Sequence, residues 1–465
     1  MTLKLSHQAA VGTNFQTKTI FLAVCIIIAS ILIDTSIVKT SVYTGGLHGS
    51  TADILLFTII TLIYAIGQYV ILKVTTVKEH FRTRDMIIVH KSAVILQYVL
   101  IAILLITILQ MILTSSYSSI ILKIVTWINY SISIVFLGIL SKKFISWYST
   151  RRNGILIAYA IAMLFLCMYG IVSIIDISYG LTHGGPTKVG ITKSSVASID
   201  TPSFISSIVN SAYFIISLLA FISTWFATVL LLKHYSNKIG KAKYWILVSI
   251  PLAYFLTQFQ TILLYLFTPI RLTDPIIFGI TYTLVFSASK PIGGILFGIS
   301  FWIVSRGLSN PQVKKYMIIS GYGLLLLFTA SQHQILLLNP YPPFGLPTIC
   351  YVGLASYLIL IGVYSSALSV ARDKEVRMEF YRSAMSQMSL LKTIGVSEME
   401  KQLMKDFKSI DKRTRSLEKV SRYEKDNVKE VLHGLVDEMD KENAREILHD
   451  VLTELYSKSR PKDKF

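Results

Sequence analysis

A lysine in the middle of an apolar run is the first residue of this chain that invites a chemical reading. Lys290 stands in FSASKPIGGILFG (286–298), inside a stretch that is otherwise apolar from 276 to 304. A cation at that depth of a membrane helix costs roughly 2.5–3.5 kcal/mol on insertion scales, so it normally faces the bundle interior or a water-filled cavity. Pro291 beside it removes an amide and bends a helix, and Gly293, Gly294 and Gly298 let another backbone approach. The pattern predicts one of two things. Either the helix is broken and lines a pathway, as irregular backbone at membrane depth can when it borders a cavity or protein, or a proline kink packs into a small-residue groove with Lys290 turned inward.

Other polar residues cluster by depth. Asp34, Gln258, Gln260, Gln332, His333 and Gln334 fall within about 5–10 Å of one surface at 1.5 Å per residue, with Gln110 and Asp176 close to the same boundary. Groups of this kind in hydrocarbon need partners, which predicts a wet cavity open to that side; the plain alternative is that each meets headgroups or a neighbouring helix. Asp34 is the strongest candidate for contact with a ligand or a proton. Its depth differs from that of Lys290 by about 14 Å, which argues against a direct ion pair unless the eighth helix is displaced or split.

The elements that must hold these residues are membrane helices. The chain of 465 residues is 53% hydrophobic and 15% charged, and its apolar residues fall in blocks long enough to cross about 30 Å of hydrocarbon. Ten spans are expected: 19 to 38, 53 to 73, 92 to 114, 120 to 141, 154 to 178, 204 to 232, 244 to 268, 276 to 304, 316 to 337 and 349 to 371. The fold expected is therefore an all-α polytopic transmembrane bundle over 1–371, followed by a helical cytoplasmic tail over 372–465.

Charge orients the bundle. Residues 1–371 carry 24 Lys and Arg against 7 Asp and Glu, and residues 372–465 carry 21 against 19. Of the net charge of +19, +17 thus belongs to the membrane part, which argues against a nucleic-acid role for the nearly neutral tail. Of those 24 cations, 18 fall on alternate connections, among them Lys73, Arg82, Lys143, Arg152, Lys241 and Lys315. By the positive-inside rule both termini are cytoplasmic. The first span has no small-residue cleavage site after it and reads as a retained helix.

The connection 179–203, rich in Gly, Ser, Thr and Pro, reads as a tether in preference to a lid. The turn NPYPPFGLP (339–347) is a stiff bend between spans nine and ten, with Tyr341 and Phe344 suited to the membrane interface. In the tail, Gly395 provides a stop and SEME (397–400) reads as a capping box, with Ser397 accepting an amide and Glu400 reaching back. Two amphipathic faces follow, at 428–439 and 447–456. They make residues 397–457 the segment expected to bind a second copy or a cytoplasmic protein, beside the lipid bilayer itself.

No catalytic set is apparent. GxxxxGK[ST], HExxH and GxSxG are all absent. Cys25, Cys167 and Cys350 lie in apolar spans without CxxC spacing, so neither a metal nor another cofactor is expected. His449 in LHDVLTEL faintly suggests a phosphoacceptor box, but only sixteen residues follow it, and a solvated helix-face histidine is the reading adopted; His433 is read the same way.

At ASKPIGGILFG, PYPPFGL and GLASYLILIGVYSSALSVARD the chain resembles a group of uncharacterised polytopic membrane proteins of ammonia-oxidising archaea. The resemblance covers spans eight to ten. It implies an archaeal plasma membrane and carries no activity to transfer.

Two functions follow. The first is a membrane sensor or scaffold, in which an outward-facing polar cavity communicates through span ten with the tail. The second is a secondary transporter using a broken eighth helix, although spans one, three and six lack the interruptions that inverted repeats would repeat.

Overall fold

A computed structural model describes residues 19–38, 51–75, 84–183, 188–190, 204–233, 235–257, 273–274, 277, 289–308, 310–338, 340–372, 393–395, 397–401 and 404. The described chain is a helical bundle. Its helices are α1 (Thr19–Val38), α2 (Thr51–Val74), α3 (Arg84–Thr114), α4 (Ser119–Thr150), α5 (Gly154–His183), α6 (Phe204–Lys233), α7 (Lys241–Thr257), α8 (Ser289–Arg306), α9 (Pro311–Ala330) and α10 (Leu346–Arg372). A one-turn helix, Ser236–Ile239, precedes α7, and a 3-10 helix, His333–Leu338, follows α9.

Local chemistry sets several boundaries. Asn310 accepts the amides of Gln312 and Val313, and Pro311 takes the first helical position of α9, where its missing N–H costs nothing. The Asn153 side-chain Oδ1 accepts the amide of Ile155 at the start of α5. Long apolar runs do the rest, because hydrocarbon leaves the backbone no partner but itself.

Eight of the described helices are long and apolar enough to cross a membrane: α1 to α6, α9 with the 3-10 helix, and α10. This is a multi-pass membrane architecture. Of the two other expected spans, α7 is described over 17 residues. α8 is described over 18, and Lys290, Pro291 and two adjacent glycines lower its apolar character. On α1 to α6, large apolar side chains such as Leu22, Ile66, Ile95, Leu113 and Phe226 point out of the bundle, the face that lipid covers.

α10 lies at the centre, with every residue from 346 to 371 buried. α9, α4, α3 and α2 surround it. Its closest neighbour is α9, and two glycines set the spacing. A Cβ on Gly323 would fall 2.7 Å from the Ile359 amide, and one on Gly362 would fall 2.6 Å from the Tyr316 carbonyl.

Two expectations about loops are corrected. Tyr341 and Phe344 are buried, not interfacial: Tyr341 stacks on Tyr117 and Phe344 meets the Phe57 ring edge-on. The turn is folded into the bundle, and the Tyr117 hydroxyl donates to the Pro340 carbonyl at 2.7 Å. The expected tether between α5 and α6 contains a strand, Lys188–Gly190, paired antiparallel with Ser116–Ser118 in the α3–α4 connection. Residues 184–187 and 191–203 lie outside the described residues.

The tail expectations also change where residues are described. The Ser397 hydroxyl donates to the Trp147 carbonyl near the end of α4, 3.3 Å away. Glu398 accepts from the Trp147 indole at 2.9 Å, Glu400 approaches Arg151 at 4.0 Å, and Lys401 donates to Ser146. Thr393 accepts from the Asn153 side chain, and Gly395 is a close-approach position, since a Cβ there would fall 2.6 Å from Val370 Cβ. The segment docks on the last turn of α4, where the buried Trp147 indole needs an acceptor and the Trp147 carbonyl, already bonded to the Arg151 amide, accepts a second hydrogen bond. The amphipathic faces at 428–439 and 447–456, with His433 and His449, lie outside the described residues.

Candidate functional site

Lys290 is the second described residue of α8, and its neighbours come from helices that precede it by many residues. Its ammonium donates to the Tyr213 hydroxyl on α6 at 3.1 Å, and it lies 5.1 Å from the centre of the Tyr169 ring on α5 and 5.4 Å from that of Tyr213. Tyr169 donates its only hydroxyl hydrogen to the Ser331 carbonyl at 2.8 Å, just past the end of α9. Its 3.2 Å contact with Tyr213 must therefore be one in which Tyr213 donates. The result is a directed chain from Lys290 through Tyr213 and Tyr169 to Ser331.

Tyr130 on α4 packs edge-on against Tyr169, and Asp176 on α5 is close enough to act electrostatically on Tyr213. Aromatic faces and phenolic oxygens thus line the part-buried ammonium, a combination worth about 0.5–2 kcal/mol for the ring faces alone. The chain can hold a cation in place and pass hydrogen-bond polarity from α8 to α9.

The residues after Lys290 do packing work. Pro291 is buried, the third of the described residues of α8. A Cβ on Gly293 would collide with the Phe221 ring of α6; on Gly294 it would fall 3.1 Å from the Leu325 carbonyl, and on Gly298 2.9 Å from that of Gly321. Gly294 and Gly298 are one turn apart and together bring the backbone of α8 against α9. Residues 278–288 lie outside the described residues, and the choice between a kinked and a broken helix with them.

Asp34 belongs to a different place. It is fully buried near the end of α1, accepting the Gly345 amide at 2.8 Å and the Thr348 hydroxyl. Gly345, at φ +89°, immediately precedes α10. The carboxylate therefore serves the start of α10, where free amides and the positive end of the helix dipole favour an anion.

Asp34 and Gln332 each hydrogen-bond within the bundle. A buried carboxylate takes the nearest donors, and these are backbone amides of its own bundle. Gln332 turns its side-chain amide to the Thr329 carbonyl at 3.4 Å, and His333 opens the 3-10 helix. Gln258 and Gln260 lie outside the described residues. Lys290 and Gln332 approach the same junction, since Ser331 next to Gln332 ends the tyrosine chain; Asp34 does not join it.

Sequence reasoning missed the tyrosines. It weighed charges, and Tyr130, Tyr169 and Tyr213 pass as ordinary apolar residues in a membrane span. The same holds for Tyr64, whose hydroxyl donates to the Gln97 side chain at 2.6 Å, and for the Asn129 carbonyl that accepts the Gly353 amide at 3.0 Å. Gln97 and Asn129 at mid-span were visible signals.

Comparison with protein-family models, with curated proteins and with solved structures finds no match for this chain.

Proposed function

We propose that the chain is a ten-span protein of the plasma membrane with both termini in the cytoplasm, acting as a membrane sensor or scaffold whose output is the helical tail. The ten-span count rests on the alternation of Lys and Arg along the sequence. One observation carries the sensor reading: α10, buried along its whole length, is held at its first end by Asp34 and at its last end by the docked segment 393–401. A packed helix anchored at both ends moves as a unit, so a change in the turn at 340–345 reaches the tail dock without an intermediate element. Spatial continuity alone is not coupling, which sets the experiment.

The full chain in nanodiscs is compared with Asp34→Asn by hydrogen exchange at residues 393–401. Loosening the first anchor is expected to raise exchange at the dock. Exchange at 393–401 unchanged in a variant that perturbs 340–348 would count against the sensor.

A secondary transporter is the second reading, favoured by one observation: a lysine on α8 whose partners come from two other helices. Uptake of a solute panel into proteoliposomes, abolished by Lys290→Met, supports it; no uptake across the panel favours the sensor.

A further inference from the structure

The α2–α3–α10 interface contains polar groups that neither the tail dock nor the Lys290 chain uses. Thr61, Tyr64 and Gln68 lie on one face of α2, at spacings of three and four residues, and each is at most 3% exposed. Gln97 on α3 and Tyr351 on α10 are 1% exposed. Tyr64 joins them: its hydroxyl bonds to Gln97, and its ring meets that of Tyr351 edge-on with centroids 4.9 Å apart. The Tyr351 hydroxyl lies 3.6 Å from where a Cβ on Gly67 would be, next to Gln68.

Thr61 Oγ1, Gln68 Oε1, Gln97 Nε2 and the Tyr351 hydroxyl have no hydrogen-bond partner among the described residues. Each such group costs about 1–3 kcal/mol if left dry, and leucine at these positions would avoid the cost. The four offer both donors and acceptors and no charge. The occupant they suit is small, neutral and able both to give and to accept hydrogen bonds, which describes water with two to four polar partners.

Ionisable groups stand at both ends of this cluster. Asp34 is near enough to act on Cys350 and Tyr351, and the Cys350 thiol hydrogen-bonds with Tyr64. Two turns along α3 from Gln97, His90 Nδ1 lies 2.6 Å from the Tyr357 hydroxyl. Two turns along α2 from Gln68, Thr75 hydrogen-bonds with that same tyrosine. The interval is about 10 Å on each helix, and beside it lies a small apolar crevice lined by Ile71, Thr75, Leu358 and residues of α1 and α9.

We propose that this interface holds a chain of water molecules that conducts protons between Asp34 and His90. A proton taken up by the Asp34 carboxylate moves by successive hops through waters bridging Tyr64, Gln97, Gln68 and Tyr351, and leaves from the His90 imidazole. No covalent bond other than O–H and N–H changes, and the proton gradient drives the flow. The path requires neither the tail nor a solute, and so goes beyond both readings above.

The full chain is reconstituted in proteoliposomes containing a pH-sensitive dye, and flux is started with a potassium gradient and valinomycin. Wild-type vesicles are expected to acidify faster than protein-free vesicles. Gln68→Leu and Asp34→Asn should reduce flux to the protein-free level, while Ser223→Ala on α6 keeps the wild-type rate. Thermal melting of each variant in detergent reports folding. Wild-type flux equal to that of protein-free vesicles in both gradient directions overturns the proposal, as does wild-type flux in folded Gln68→Leu.

Discussion

At the scale of single residues, the environment of Lys290 shows phenolic oxygen and ring faces gathered around a charge inside a bundle. Lys290→Met removes the charge together with its cost, so the variant should melt close to the wild type. Tyr213→Phe keeps the charge and deletes the hydroxyl that accepts from it, which should cost about 1–3 kcal/mol. Melting curves in detergent decide the point: Tyr213→Phe no more destabilising than Lys290→Met contradicts this account. The position of Lys290 was legible in the sequence, because one cation in an apolar run cannot be hidden. Its partners were not, because Tyr169 and Tyr213 differ from lipid-facing aromatics only in which side of a helix faces inward.

At the scale of elements, glycine decides which helices meet backbone to backbone. On α8, Gly294 and Gly298 face α9, where a Cβ on Gly321 would in turn fall 2.8 Å from the Gly298 carbonyl. Gly298→Leu inserts four carbons at that crossing and should destabilise the bundle by about 1–3 kcal/mol, with a lower melting temperature as the readout. A wild-type melting temperature would show that the crossing is looser than its geometry implies. The expectation that these glycines admit another backbone could be formed from the sequence, since small residues one turn apart have few other uses in a membrane helix. The identity of α9 as the partner came only with the fold.

At the scale of the whole molecule, the segment 393–401 joins the tail to the ends of α4, α5 and α10, and one group there titrates in an accessible range. Burial beside Ser146 and the nearby Lys143 pull Lys401 down from 10.5 to about 8, against the opposing pull of Glu398 and Glu400. The docked form favours the neutral amine, so the undocked form binds more protons between those values. Docking should therefore strengthen as pH rises from about 8 to 10.5 and be weaker at neutral pH. Trp147 fluorescence, sensitive to loss of the Glu398 contact, is expected to follow that window, and Lys401→Met should flatten it. A pH response retained in Lys401→Met would assign the titration to another group.

The sequence by itself determined that this chain crosses a membrane many times as helices, because transfer into hydrocarbon is a sum over neighbouring residues and each span carries its own total. It also marked the exceptions, Lys290 and Asp34, for the same reason. Only the tertiary structure decided what those exceptions touch. Asp34 serves an amide 311 residues away in the chain, and Lys290 is held by helices that precede it. The central position of α10 has the same origin: lipid and protein interiors are almost equally apolar, so hydrophobicity does not separate a buried helix from a lipid-facing one. What separates them is the fit of small and hydroxyl-bearing surfaces between helices remote in sequence, and that fit exists only once the bundle has assembled.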